Sequence, residues 1–320
     1  MPGIVEFDFE FPTGSVSARA MADASGVPHE KILEITHCEH FPVLGDDEQA
    51  WELAVRAGAS VLKRTGVAPE RITHVLYCGS GQWDVPFWSP AAKVAHELGI
   101  ENAHCFEVTN FCNASMTAVR IACDKLELGQ ADHVLVLIGD RLSRLLDYHD
   151  AGSVDLFNFG DSAAALLISG EGSRFEVLHS AMHTEPHWAD YYTGAVREGR
   201  VLIQRNGHRE GLTSAYVDNF RTLTGQTLTA LGRDVADVAY LLINHGDRRM
   251  HERLLNELGL PAEKSVFNYH RFGHMGGADT LIAIRDLTEA GRLRDGDLLL
   301  LATSAMGFSW GITALEYRAE

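Results

Sequence analysis

Short apolar runs alternate along this chain with segments of helical spacing: residues 75–78, a helix over 91–98, residues 106–108, a helix after Cys112, then residues 134–138. Continuous apolar runs of this length suit strands buried on both faces, so the alternation predicts an α/β protein with a covered sheet. No Pro, Gly or Ser-rich linker interrupts it. Two stretches echo each other: Arg71-Ile72-Thr73-His74-Val75-Leu76-Tyr77 opens a strand in the first half, and Asp234-Val235-Ala236-Asp237-Val238-Ala239-Tyr240 opens one in the second. Asn158-Phe159-Gly160-Asp161-Ser162 turns on a glycine into a small-residue strand, and Met306-Gly307-Phe308-Ser309-Trp310-Gly311 does the same. An internal duplication accounts for both echoes and predicts halves at 1–170 and 171–320.

The chain has 320 residues, 46% hydrophobic and 22% charged, an ordinary globular balance with room for a large core. No apolar run reaches the length of a membrane span. Met1-Pro2-Gly3-Ile4-Val5-Glu6-Phe7-Asp8 lacks the basic and apolar regions of a signal peptide, and five scattered cysteines do not form a disulfide framework, so the expected location is the cytoplasm. A formal charge of -17 argues against nucleic acid as a partner. An acidic partner would have to meet a local basic patch, and Arg248, Arg249 and Arg253 form the densest one; the same three residues also read as a solvated helix face.

Phe111-Cys112-Asn113-Ala114-Ser115 places a cysteine between a strand-like run and a helix-like run. At a helix N-terminus the unpaired N–H groups favour a thiolate, and a strained elbow there exposes a nucleophile. A buried structural cysteine fits the local pattern equally well. Asn244-His245-Gly246 follows the strand-like run 239–243, at the strand end where α/β sites gather. Phe272-Gly273-His274-Met275-Gly276-Gly277-Ala278-Asp279 is a glycine turn with a histidine and, five residues on, a carboxylate. Gly307 lies in a turn between two strand-like runs, placed to offer an N–H to an oxyanion.

In this order and spacing the pieces resemble the ketosynthase III family of the thiolase fold, the beta-ketoacyl-ACP synthases that start fatty acid and polyketide chains from acyl thioesters. The resemblance runs from the strand at Val75 and Ser89-Pro90-Ala91 through Cys112, Gly160-Asp161, Asn244-His245 and Arg271-Phe272-Gly273-His274 to Gly307-Phe308-Ser309-Trp310-Gly311. It implies an αβαβα layered fold of two similar halves, a homodimer, acylation of Cys112, and an oxyanion hole from the N–H groups of Cys112 and Gly307. No permanent cofactor and no metal are implied; acyl-phosphopantetheine on an acyl carrier protein, or acyl-CoA, enters as co-substrate.

The departures from the family carry the functional reading. Its condensing members use Cys-His-Asn, and here His245 matches the histidine while His274 stands where asparagine is expected. An imidazole is also a base, and Asp279 is near enough in sequence to orient it. The chain thus looks like a divergent subgroup, found in antibiotic and polyketide pathways, that has a Cys-His-Asp arrangement and transfers acyl groups without decarboxylation. The expected activity is transfer from a thioester through acyl-Cys112 to an alcohol or amine activated by His274, with His245 polarising the acceptor or supporting the site. The alternatives are a decarboxylative synthase, a non-catalytic carrier-binding subunit, and a thioesterase.

Three further expectations concern the surroundings. The family's coenzyme A users grip the nucleotide with a segment rich in Trp and Arg near residues 28–40, which here has neither residue, so a carrier protein is the expected donor. His37, Cys38 and His40 lack the further partners a zinc site needs. The aromatic stretch 182–200 falls where the family varies its acyl-pocket wall or dimer contacts, with Trp188 as a residue that could bound the substrate.

Overall fold

The computed structural model describes residues 1–207 and 209–319. In chain order its strands are β1 (Gly3–Glu10), β2 (Ser15–Ser17), β3 (His40–Pro42), β4 (Ile72–Gly79), β5 (His104–Thr109), β6 (His133–Asp140), β7 (Ser162–Ser169), β8 (Phe175–Thr184), β9 (Tyr192–Arg197), β10 (Arg200–Arg205), β11 (Val238–Ile243), β12 (Leu298–Ala305) and β13 (Ser309–Tyr317). The helices are α1 (Ala18–Ser25), α2 (His29–Thr36), α3 (Ala50–Thr65), α4 (Pro90–Glu97), α5 (Ala114–Glu127), α6 (Leu212–Leu231), α7 (Arg248–Glu257), α8 (Tyr269–Phe272) and α9 (Asp279–Glu289).

Nine strands form one sheet in the order β11-β12-β13-β8-β1-β7-β6-β4-β5. Its middle is a seam, since β1 and β8 share only the pairs Gly3 with Glu176 and Ile4 with Phe175. On either side the pairing repeats. β4 runs parallel to β6, β6 antiparallel to β7 and β7 antiparallel to β1; β11 runs parallel to β12, β12 antiparallel to β13 and β13 antiparallel to β8. The two echoing segments occupy matching places, each a short 3-10 turn, Pro69–Arg71 or Val235–Asp237, leading into β4 or β11. β5 extends the first set alone.

Alternation along the strands assigns the layers. In β6, Val134, Val136 and Ile138 face α5 and α9, whereas Leu135 and Leu137 face α3 and α4. In β12, Leu299 and Leu301 face the same central helices, and Leu298, Leu300 and Ala302 face α6 and α7. The order is therefore helix, sheet, helix, sheet, helix. α5 lies in the central layer and is buried along Ala114, Ser115, Met116, Ala118, Val119, Ala122 and Cys123; its small residues let β4, β5, β6 and β7 approach it closely. No described helix is long and apolar enough to cross a membrane.

Candidate active site

The N-terminal ends of the two central helices meet where the two sheet sections face each other. After β5 the chain turns through Phe111–Asn113, a 3-10 turn that runs directly into α5. Phe111 has φ +47°, so the strain of the elbow falls one residue before Cys112. The turn is tied to the second half: Asn113 Nδ2 donates to Ser309 Oγ at 2.8 Å, two residues beyond Gly307, whose φ is +117°. Ser115 Oγ donates to the Gly277 carbonyl at 2.9 Å, joining the start of α5 to the turn before α9.

His274 is gripped by the glycine turn that ends the first half. Its N–H donates to the Asn158 carbonyl at 2.7 Å, its carbonyl accepts from the Gly160 N–H at 3.0 Å, and its ring centroid is 5.2 Å from that of Phe159. Gly273 makes the approach feasible. It sits at φ 68° and ψ −144°, in a region almost confined to glycine, and a Cβ there would lie 2.4 Å from the Asn158 carbonyl oxygen.

These contacts align three side chains. Cys112 Sγ lies 3.2 Å from His274 Nε2, and His274 Nδ1 donates to Asp279 Oδ2 at 2.6 Å. Asp279 also accepts from the backbone N–H of His245 at 2.7 Å and of Met275 at 2.8 Å. Burial alone would strip the proton from His274, but the charges of the facing Cys112 thiolate and Asp279 outweigh it and raise the imidazole well above the ordinary histidine value. Burial likewise works against the Asp279 carboxylate, and the charge of His274 with the donors around it holds the group well below its usual range. The arrangement sets a sulfur nucleophile against a proton donor in contact with it.

Cys112 and His274 open into a cavity of about 590 Å³. One wall is aromatic, with Tyr191, Tyr192, Tyr216, Phe220 and Phe308, and the rim carries Lys31, Glu34, Asp247, Arg248 and Arg249. Tyr216 has no counterpart among the residues marked from the sequence. A tyrosine on an amphipathic helix reads as core, and only the packing of its ring against Phe308 and Trp310 turns it to the cavity.

Two sequence expectations, for Trp188 and Arg253, are placed differently, and His245 takes the second of its two expected places, supporting the site from outside the cavity. His245 does not line the cavity; its ring turns under Asp279, and Nε2 donates to the Val266 carbonyl at 3.2 Å. Trp188 is buried behind Tyr191 and Phe308, with Nε1 donating to Glu185, so the tyrosines and Phe308 stand between it and any occupant. Of the three arginines, Arg248 and Arg249 line the rim, whereas Arg253 is not among the lining residues and pairs with Glu257 at 3.9 Å. Cys38 Sγ donates to the His40 carbonyl at 2.7 Å, and no three His, Cys, Asp or Glu side chains among the described residues are grouped to hold a metal ion.

The family model of 3-oxoacyl-(acyl-carrier-protein) synthase III matches residues 106–186, and its C-terminal companion matches residues 228–317, together more than half of the chain. The chain belongs to the ketosynthase III family. Family members are acyltransferases of the thiolase fold. Similar curated proteins include the beta-ketoacyl-(acyl-carrier-protein) synthase III of Rhizorhabdus wittichii, 26% identical with 96% of each chain covered, and that of Sphingopyxis alaskensis, 28% identical with 95% of each covered. Among solved structures, the 3-oxoacyl-(acyl-carrier-protein) synthase III of Aquifex aeolicus superposes with a TM-score of 0.88 at 22% identity, covering 99% of this chain and 100% of that one. OleA of Xanthomonas campestris superposes at 0.86 with 18% identity, covering 99% and 98%. At these identities the superpositions show a shared fold.

Proposed function

We propose that this ketosynthase III-like protein transfers an intact acyl group from a thioester, through acyl-Cys112, to an alcohol or amine, without decarboxylation. The observation that carries the reading is the Cys112, His274, Asp279 array, with Sγ 3.2 Å from Nε2 and Nδ1 2.6 Å from the carboxylate.

The steps balance on these groups alone. The Cys112 thiolate attacks the thioester carbonyl, and the oxyanion is received by the N–H groups of Cys112 and Gly307. Collapse expels the donor thiolate, which leaves as a thiol with the proton of His274. Acylation removes the thiolate charge, one of the two that held that proton, so His274 is now neutral and basic. It takes the proton of the acceptor hydroxyl or amine as that atom attacks acyl-Cys112, and Cys112 departs as thiolate to restore the starting pair. Asp279 keeps Nδ1 protonated and Nε2 directed at the reacting atoms.

Condensation would need two donors on a malonyl carbonyl. His274 is engaged as the base, and the Nε2 of His245 is committed to Val266. Incubation with malonyl thioester and acceptor, followed by product mass, tests the point. Malonyl ester or amide with its carboxylate retained is the expected product, and carbon dioxide released in step with a carbon-carbon bonded product would overturn the reading in favour of a decarboxylative synthase.

A carrier-protein phosphopantetheine arm is the proposed donor, entering past Arg248 and Arg249, with acyl-CoA the second choice; Arg253 would meet the acidic carrier one turn further along α7. The working form is a cytoplasmic homodimer. The dimer rests on the open edge of β5 and on the neighbouring exposed Val85 and Phe87, apolar surface that a monomer would leave in water.

A further inference from the structure

Asp279 and His245 are joined by more than one contact. The Asp279 Oδ2 that receives His274 Nδ1 also receives the His245 backbone N–H, and Oδ1 lies 3.7 Å from His245 Nδ1. The direction of that backbone N–H depends on what anchors the residue carrying it. One anchor is the Ala302 carbonyl, which receives the neighbouring Asn244 N–H at 3.1 Å, with Asn158 Nδ2 on the His245 carbonyl at 3.4 Å; the other is the His245 ring, pinned through Nε2 to the Val266 carbonyl and packed against Tyr269 with centroids 4.6 Å apart. Tyr269 is fixed in turn by a buried chain of hydrogen bonds whose direction can be read. Ser265 Oγ donates to the Leu241 carbonyl at 2.5 Å, so it accepts from His251 Nε2 at 2.8 Å. Burial depresses His251 to about 3, leaving it neutral, so its Nδ1 accepts from the Tyr269 hydroxyl at 3.2 Å.

We propose that His245 is a positioning residue: its ring is a peg that fixes the peptide N–H holding Asp279, and it acts on Cys112 through Asp279 and His274 without touching substrate. This deepens the acyl-transfer reading, because it rests on the same triad, and it gives the histidine a task other than holding a carbonyl in the cavity. The dependence has a specific chemical signature. Glutamine can carry an N–H to the place of Nε2 and reach Val266, whereas asparagine is too short.

The test is the rate of Cys112 alkylation by iodoacetamide at about pH 6.5, which reads how well the triad holds His274 against the sulfur. No acyl donor or acceptor takes part, so failure of the acyl-transfer reading leaves this result unchanged. His245→Ala should slow alkylation about tenfold, and His245→Gln should recover most of the rate while His245→Asn does not. In an Asp279→Asn background, His245→Ala should change the rate less than about twofold, because the path it uses is already broken. An equal loss in both backgrounds, an unchanged rate in the wild-type background, or equal rescue by Asn and Gln would overturn the proposal. So would wild-type alkylation in a His245→Ala protein that has lost acyl transfer, which would place the ring on substrate. If the alanine variant does not fold, the Gln and Asn pair decides the matter.

Discussion

Cys112 differs from the other four cysteines in surroundings more than in exposure. Burial raises the thiols of Cys38 and Cys105, carries Cys78 well above its ordinary value, and pushes Cys123 up to about 12. Among the described residues, only the Cys112 sulfur lies in hydrogen-bond contact with an imidazole. Peptide mapping after a brief pulse of acyl thioester should therefore find label on Cys112, and Cys112→Ala should abolish loading with the fold intact; label on another cysteine would refute the assignment. His274→Ala and Asp279→Ala should impair delivery to the acceptor more than loading, with His274 worth about 10²- to 10⁴-fold and Asp279 less. Single-turnover rates separate the two steps, and slow loading with normal delivery would invert the proposed roles. Gly273→Ala should cost about 2 kcal/mol of stability or more, from positive φ and the Asn158 carbonyl in its path, and should slow transfer by displacing the next residue, His274. An unchanged melting temperature and rate would show that the turn relaxes freely.

Among the elements, α7 and the segment 265–269 carry the buried chain that ends on Tyr269, and its stability should respond to acid with a defined sign. His251 titrates near 3 when folded and near 6.5 when unfolded. Its contribution is complete above about pH 6.5 and is lost toward pH 3, at about 1.4 kcal/mol per unit. Asp140 and Asp161, raised by burial to about 6, act the other way between about pH 4 and 6. Comparing the wild type with His251→Gln isolates the histidine: the stability gap between them should narrow as pH falls from neutral toward about 4.5, and parallel curves would contradict the assignment. Cys112, His274 and Asp279 were drawn together in the sequence by the family resemblance, since the strand-to-helix turn alone suits a buried structural cysteine equally well. The direction of His245 was not legible, since it depends on a carbonyl of Val266, twenty-one residues away in a stretch without regular structure. Trp188 and the tyrosines could not be ranked for the same reason: which ring of an aromatic cluster faces the cavity depends on packing against Phe308.

At the scale of the whole molecule, the repeated strand pairing on either side of the β1 and β8 seam supports a duplicated ancestor, with the boundary proposed between residues 170 and 171. The unmatched strand β5 leaves one sheet edge open beside Phe87. Sedimentation should give a dimer at micromolar protein, with Phe87→Asp shifting it toward monomer; a wild-type monomer would end the homodimer proposal. The glycine turn that grips His274 belongs to the opposite half from the histidine itself, and this has a consequence for biosynthesis. A ribosome that has released only the first half has delivered Cys112 with neither imidazole nor carboxylate, so the emerging thiol is as unreactive as any other. Docking of the second half arms it, and the order of translation thereby shields the nucleophile from stray electrophiles until a complete enzyme exists to use it.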